Sequence, residues 1–232
     1  MNERTGQRSS RGAAADAGAA RPAAAVEDVT DQRLLRGLRT RRRIARRGVD
    51  IASLEGLSGL SIGRLASDLE LSKSGIQTLF TTKEKVQLAV AESAREAFAE
   101  AVVLPARAAG PGAARLRALT DLWTAYAEAP LFPGGCFWAA ALPDFDSRPG
   151  AVRDALLAHR SGWLALLAGE LRYAAEAHEI AALDPEFTAF QIDAVLTATN
   201  TALRLGEAGA VDRARRVIDG FLTPVRAGRP RS

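Results

Sequence analysis

A short polar segment in the first half of the chain carries side chains that suit DNA. Its residues are polar or small, so that they can donate to and accept from base edges or phosphates and let the backbone approach closely: Lys73, Ser74, Gly75, Gln77 and Thr78. Small side chains let a helix enter the major groove deeply, and the amide of Gln77 can pair bidentately with adenine. The alternative is an ordinary amphipathic helical hairpin, whose polar face meets only solvent.

Two helices joined by a tight turn are predicted to position this segment. Ser61 is a favourable N-cap, and the apolar residues that follow it recur at the spacing of one buried face: Ile62, Leu65, Ala66 and Leu69. Ser72 is a second N-cap and a predicted DNA contact; the helix that it opens, over residues 73–80, has only Ile76, Leu79 and Phe80 as apolar residues. The pattern predicts a helix-turn-helix.

Over roughly residues 40–90 the chain resembles the tetracycline-repressor-like (TetR) family of bacterial regulators. The likeness rests on a first helix from Ile44 to Glu55-Gly56, on Leu71-Ser72 in the turn and on the closing Phe80-Thr81-Thr82-Lys83-Glu84. It implies that Ser61 and Lys83 contact the phosphate backbone, while the polar face of the second helix enters the groove.

Three residues depart from the family pattern. Gln77 stands where a tyrosine is usual, Leu79 where a histidine is usual, and Glu70 where the turn has a glycine. If the turn needs a positive φ, a residue other than glycine costs on the order of 1 kcal/mol there. Glu70 then marks either a strained turn or a trait of a subfamily.

Composition and length predict an all-α protein of two domains. The chain has 232 residues, of which 47% are hydrophobic and 25% charged, and almost no segment alternates with the period of a half-buried strand. We expect about nine helices, with a DNA-binding domain over 33–88 and an effector-binding and dimerisation domain over 89–226. Residues 1–32 and 227–232 are poor in large apolar groups and are predicted to be disordered.

Positive charge is concentrated just before the helix-turn-helix. The net charge is +4, and eight arginines lie close together: Arg33, Arg36, Arg39, Arg41, Arg42, Arg43, Arg46 and Arg47. Such a run binds a polyanion by counterion release, with log K falling by about 0.9 per log unit of salt for each phosphate neutralised. Arg41, Arg42 and Arg43 are the predicted DNA contacts, and a solvated helix face is the alternative.

Several classes of protein are disfavoured. The single cysteine, Cys136, excludes an intramolecular disulfide framework and fits a reducing cytoplasm. No apolar stretch reaches the about 18 residues that span a bilayer, and the N-terminus lacks the apolar core of a secretory signal. His159 and His178 have no metal-ligand spacing, and no nucleophile-elbow or P-loop motif occurs. We expect no enzyme activity, cofactor, metal or membrane partner; a Cys136–His159 thiolate pair is the alternative.

Large rings in the central helices predict a mostly apolar pocket for a small molecule. The candidate ligand-binding residues are Trp123, Tyr126, Cys136, Phe137, Trp138, Trp163, Leu167 and Phe190. The same rings could simply fill the core. A weak Gly-Cys-Phe motif at residues 135–137 is similar to part of the TetR family but identifies no ligand.

The last two helices are predicted to form a homodimer. The helix that opens at Asp184-Pro185-Glu186 is apolar on two sides, and the final helix has an apolar face from Val211 to Leu222. Paired with their copies they would form an intersubunit four-helix bundle, as in the TetR family. Two symmetric reading helices then match a palindromic operator with half-sites roughly 34–36 Å apart, or a multiple of that.

These features together predict a regulator of transcription that binds double-stranded operator DNA and responds to a small, largely apolar effector. The family resemblance favours a repressor, and the helix that begins at Lys83 is the expected link between the two halves. Two other classes remain: an all-helical binding protein or enzyme with an incidental helix-turn-helix, and a protein that binds DNA without sequence preference. Competition between operator and random DNA distinguishes this last class from a sequence-specific regulator.

Overall fold

The structure is a computed structural model that describes residues 23–129 and 131–223, with side chains from residue 32 onward. Over these residues it is all helical, as predicted, and contains nine helices and no strand. The helices are α1 (Ala23–Glu55), α2 (Ile62–Leu69), α3 (Lys73–Phe80), α4 (Lys83–Phe98, continued by a π-helical turn, Ala99–Val103, and by Leu104–Ala106), α5 (Ala113–Glu128), α6 (Phe137–Phe145), α7 (Ala151–Glu176), α8 (Pro185–Arg204) and α9 (Ala210–Phe221).

The chain divides into two units within α1. Residues up to Leu38 form one unit, and residues from Arg39 onward form a second, which contains both the helix-turn-helix and the C-terminal helices. The predicted domain boundary at residues 88/89 falls inside α4 and stays a prediction.

Helix α1 corrects the disorder predicted over residues 23–32. It begins at Ala23, and the three alanines at its start and Glu27 have high helix propensity although large apolar groups are few. Residues 1–22 and the tail predicted over 227–232 lie outside the described residues.

Within the described residues, four helices begin at side-chain caps. The side chains of Ser61, Ser72, Thr82 and Asp184 each accept a hydrogen bond from the backbone N–H three residues on, over 2.9–3.2 Å. Each cap satisfies a donor that has no partner inside its helix. The two caps predicted for the helix-turn-helix are therefore confirmed.

The turn between α2 and α3 needs a left-handed residue, and Glu70 supplies it with φ 55° and ψ 40°. The Leu71 N–H donates to the Ala66 carbonyl over 2.9 Å, which closes the end of α2 as in a Schellman motif. Glu70, which replaces the usual glycine, is thus held in a backbone conformation that glycine adopts at a lower free-energy cost.

Helix α7 lies at the centre of the C-terminal part. It packs against α4, α5, α6 and α8, and α8 packs in turn against α5, α6 and α9. Within the described residues, no helix has both the length and the apolar character needed to cross a bilayer.

Candidate functional site

The polar face of α3 is open to solvent. Lys73, Ser74, Gly75, Gln77 and Thr78 are all exposed, whereas Ile76 and Phe80 are fully buried. The helix is thus anchored by its apolar side and presents its donors and acceptors outward. This exposure was the central expectation of the sequence, and it is confirmed; contact with DNA stays a prediction.

Two serines and a glycine shape the start of this surface. Ser72 Oγ accepts from the Gly75 N–H over 3.0 Å, and a Cβ on Gly75 would lie only 2.9 Å from the same oxygen. Ser61 caps α2 by accepting from the Arg64 N–H over 3.1 Å. Ser61, Ser72 and Gly75 therefore have a structural function in addition to the DNA contacts predicted for them.

The predicted arginine contacts divide into two kinds. The Arg41 guanidinium donates to the Leu79 carbonyl and lies 4.4 Å from the centre of the Phe80 ring. Arg43 Nη2 donates to the Leu69 carbonyl over 3.1 Å. Both cations lie at the C-terminal ends of helices, where the helix dipole favours positive charge. Arg41 and Arg43 thus brace α3 and α2, whereas Arg42 is exposed.

Carboxylates neutralise part of the arginine run. Asp68 Oδ2 lies 2.7 Å from Arg47 and 3.2 Å from Arg64, and hydrogen bonding to Arg47 is the largest effect that lowers the pKa of Asp68. Arg46 pairs with Asp50 over 2.7 Å. Lys83 Nζ, predicted to contact phosphate, donates to the Ser58 carbonyl over 2.7 Å and keeps two further N–H donors.

A cavity of about 460 Å³ lies among α4, α5, α6, α7 and α8. It is bounded mainly by rings and small apolar groups: Phe98, Trp123, Cys136, Trp138, Ala139, Leu142, Pro143, His159, Arg160, Trp163, Asp193, Ala194, Leu196, Thr197 and Ala198. Its size falls in the range of small-molecule sites.

Half of the predicted ligand residues line this cavity: Trp123, Cys136, Trp138 and Trp163. Tyr126, Phe137 and Leu167 are buried but lie outside the lining, and the Tyr126 hydroxyl accepts the Phe137 N–H over 3.2 Å. Phe190 is 52% exposed. Because α8 is apolar on two sides, its periodicity alone did not indicate which side faces inward.

Sequence reasoning missed the polar side of the cavity. Arg160 Nε and Nη2 donate to Asp193 Oδ2 over 3.2 and 2.9 Å, which joins α7 to α8. Asp193 is the one charged residue between Glu186 and Arg204 in α8, and that isolated charge is the signal that could have revealed it. Within the described residues, Asp193 Oδ1 accepts no hydrogen bond.

His159 and Cys136 are both uncharged at neutral pH. The His159 ring stacks on Trp138 with centroids 3.5 Å apart, and burial, followed by the charge of Arg95, lowers its pKa to about 4. Burial raises the pKa of the Cys136 thiol. The two groups therefore do not present the thiolate and imidazolium that the alternative nucleophilic pair requires. No cluster of metal-ligating side chains occurs in the part of the chain that is described.

The cavity wall is joined directly to the helix-turn-helix. Asp144 follows Leu142 and Pro143 on α6 and accepts two hydrogen bonds from Ser58, one from its N–H and one from its hydroxyl, each over 2.6 Å. Ser58 lies in the loop between α1 and α2. Helix α6 and the loop before the helix-turn-helix are therefore joined by a pair of charge-assisted hydrogen bonds.

Helix α4 provides a second connection. Its C-terminal end contributes Phe98 to the cavity, and its N-terminal half packs Val86 and Val90 into the core. A Cβ on Gly48 of α1 would lie 2.4 Å from Val90 Cγ2, so the backbone of α1 and the side chain of Val90 are in close contact. This contact joins α4 directly to α1.

Comparison with known proteins agrees with these features. Residues 112–218 match the family model described as "Tetracyclin repressor-like, C-terminal domain". The chain is similar in structure to a TetR transcriptional regulator from Chloroflexus aurantiacus J-10-FL, with a TM-score of 0.70, 23% identity, and 80% of this chain and 95% of that chain covered. No curated protein matches the sequence.

Two further solved structures carry ligands. AibR, solved with isovaleryl coenzyme A and operator DNA, gives a TM-score of 0.63 at 17% identity, over 79% of this chain and 99% of that chain. A transcriptional regulator from Saccharomonospora viridis, solved with choline, gives 0.68 at 19% identity, over 79% and 95%. At these identities the likeness establishes the fold.

Proposed function

We propose that this chain, whose residues 112–218 match the family model of the tetracyclin repressor-like C-terminal domain, is a transcriptional regulator of the TetR family that binds operator DNA and is released from it by a small molecule. The observation that carries this proposal is the outward polar face of α3 on a helix-turn-helix whose apolar side is fully buried. AibR contains both a ligand and operator DNA, and this similarity supports the same two kinds of partner here. Repression is chosen over activation on the resemblance to the family alone.

The proposed contacts with DNA fall into two classes. Lys73, Gln77 and Thr78 of α3 meet base edges, because they lie on its exposed face. Arg42, Lys83 and the caps of α2 and α3 meet phosphates, which fixes the register of α3 on the duplex. Arg41 and Arg43 contribute by holding the helices that carry those contacts.

We further propose that the protein acts as a homodimer through α8 and α9. Large apolar side chains on these helices are left exposed: Phe187, Phe190, Leu205 and Val217. A cluster of exposed apolar groups on adjacent helices is typical of an interface. Phe190, predicted from the sequence to contact the ligand, is assigned to this surface instead. We also propose a cytoplasmic location, because the operator DNA that the protein is proposed to bind lies there, and we assign no catalytic function.

Release by the effector requires that the ligand bind better to the conformation that does not fit DNA. Two elements connect the cavity to the helix-turn-helix. Helix α6 does so through the hydrogen bonds between Asp144 and Ser58, and α4 does so because it carries Phe98 of the cavity wall at one end and packs against α1 at the other. We propose that occupancy of the cavity shifts these elements and so changes the position of α3. In a symmetric dimer the two reading helices would lose their match to successive grooves together.

Selection from a pool of random duplexes tests the DNA-binding part of this proposal. We expect the full chain to enrich a palindromic sequence, and Lys73→Ala with Gln77→Ala to lower affinity for it by about tenfold or more. Lys85→Ala is the matched control, because it removes an exposed lysine just outside α3. Failure to enrich any sequence would favour binding without sequence preference, and an unchanged selection by the α3 variant would refute the assigned surface.

A further inference from the structure

Five of the fifteen residues that line the cavity carry aromatic rings. All three tryptophans of the chain line it, together with Phe98. Phe98 meets Trp163 edge to face at 5.4 Å and His159 at 5.6 Å, and Trp138 lies flat on His159. Ring faces and ring edges pack best against another ring system. The walls therefore favour an aromatic guest.

The charges in the wall cancel one another. Asp193 is negative, Arg160 is positive, and the two are joined by two hydrogen bonds. His159 is neutral, and the two charged groups that act on its pKa, Arg95 and Glu92, pair with each other over 2.6 Å. An anion or a cation would lose its hydration in the cavity and find no unpaired opposite charge. The electrostatics therefore favour a neutral guest.

The cavity wall carries acceptors without partners, and Trp138, which also lines it, has a buried Nε1–H donor that meets no acceptor within the described residues. Arg160 contacts only Oδ2 of Asp193, and within the described ranges Oδ1 accepts no hydrogen bond. Neither ring nitrogen of His159 has a hydrogen-bond partner in the same part of the chain, and a neutral imidazole has one acceptor nitrogen and one N–H donor. A carboxylate oxygen accepts only, so a ligand that satisfies it must bring an O–H or N–H group.

We propose that the effector is a neutral aromatic molecule bearing a hydroxyl or N–H donor, which it directs at Asp193 Oδ1 while its rings lie among the tryptophans. This assignment rests on the proposed function, because it takes the cavity to be the effector site. It narrows the predicted apolar effector to one chemical class. Asp193 is then the residue that distinguishes donor-bearing aromatic molecules from those without a donor.

A series of four naphthalene probes tests the assignment by calorimetric titration of the full chain. The probes are 2-naphthol, 2-methoxynaphthalene, 2-naphthoate and trimethyl(2-naphthyl)ammonium, which share one ring system and differ in charge and donor. We expect 2-naphthol to bind about tenfold or more tightly than the methoxy compound, since a hydrogen bond to a charged acceptor is lost. Both ions should bind more weakly than 2-naphthol.

Asp193→Asn should change the order of the probes. It leaves Arg160 without its carboxylate, so we expect 2-naphthoate to gain affinity and 2-naphthol to lose it. Glu186→Gln is the matched control, because it breaks the other ion pair between α7 and α8, with Arg172, away from the cavity. That variant should keep the wild-type order.

The wild-type order tests the proposal even if the Asp193 variant does not fold. Tighter binding of either ion, equal binding of the methoxy compound and 2-naphthol, or no binding of any probe at millimolar concentration would each overturn it. The expected order in a chain that selects no DNA sequence would uphold the ligand class and refute the regulator. Preference for a charged probe in a chain that does select DNA would refute the ligand class alone.

Discussion

Replacing Asp144 by alanine removes the direct hydrogen bonds between the cavity wall and the helix-turn-helix. The carboxylate accepts from the N–H and the hydroxyl of Ser58 over 2.6 Å each, and its side chain is 15% exposed. A hydrogen bond to a charged group contributes about 1.5–3 kcal/mol. The same loop is also held by Gln87, which donates to the Leu57 carbonyl over 3.0 Å, and by Lys83.

Because those bonds remain and water can reach part of the site, we expect Asp144→Ala to lower the free energy of unfolding by about 2–4 kcal/mol. Urea denaturation followed by circular dichroism measures this change from the midpoint at constant slope. Asp144→Asn should lose about half as much, since its amide oxygen still accepts one of the two bonds. Asp146→Ala is the control, because Asp146 is exposed beside the same helix.

The functional consequence is a weaker response to the effector. Asp144→Ala should bind 2-naphthol like the wild type, yet the ligand should reduce its affinity for the selected DNA less, because α6 no longer holds Ser58. A loss of stability below about 0.5 kcal/mol would show that the bonds contribute little. An unchanged response to the ligand would refute transmission through α6 and leave α4 as the connection.

Three further substitutions test the backbone and charge arguments. Glu70→Gly should raise the free energy of unfolding by about 0.5–1 kcal/mol, because φ is 55° there; a lower urea midpoint would contradict this. Gly48→Ala should lower it by about 1–3 kcal/mol, since the new Cβ would lie 2.4 Å from Val90 Cγ2, and adding Val90→Ala should restore part of the loss. His159 has a folded pKa of about 4, below its ordinary 6.5, so the folded state binds fewer protons between these values. Stability should therefore be full above about pH 6.5 and fall by up to about 3 kcal/mol as the pH drops towards 4. His159→Gln should flatten that slope in a urea series, and the exposed His178→Asn should keep it.

Local interactions explain why the helix-turn-helix was predictable. The caps at Ser61 and Ser72 act within three residues, and the apolar spacing of α2 and α3 fixes which side of each helix is buried. The outward position of Lys73 and Gln77 follows from the inward position of Ile76 and Phe80. Helix α1 over residues 23–32 was not predicted, because this stretch has few large apolar groups and mixes strong helix formers, such as its three alanines, with weak ones such as Asp28 and Thr30.

Contacts between distant segments had to come from the tertiary structure. The ion pair of Arg160 and Asp193 joins residues 33 apart, and the Ser58–Asp144 bonds join residues 86 apart. Periodicity gives the buried side of a helix but does not say which helix lies against it. For that reason the sequence by itself determined the helical class and the exposed polar face of α3. Only the packing of α6, α7 and α8 decided which rings and charged groups line the cavity. The same packing decided how the cavity wall is connected to Ser58.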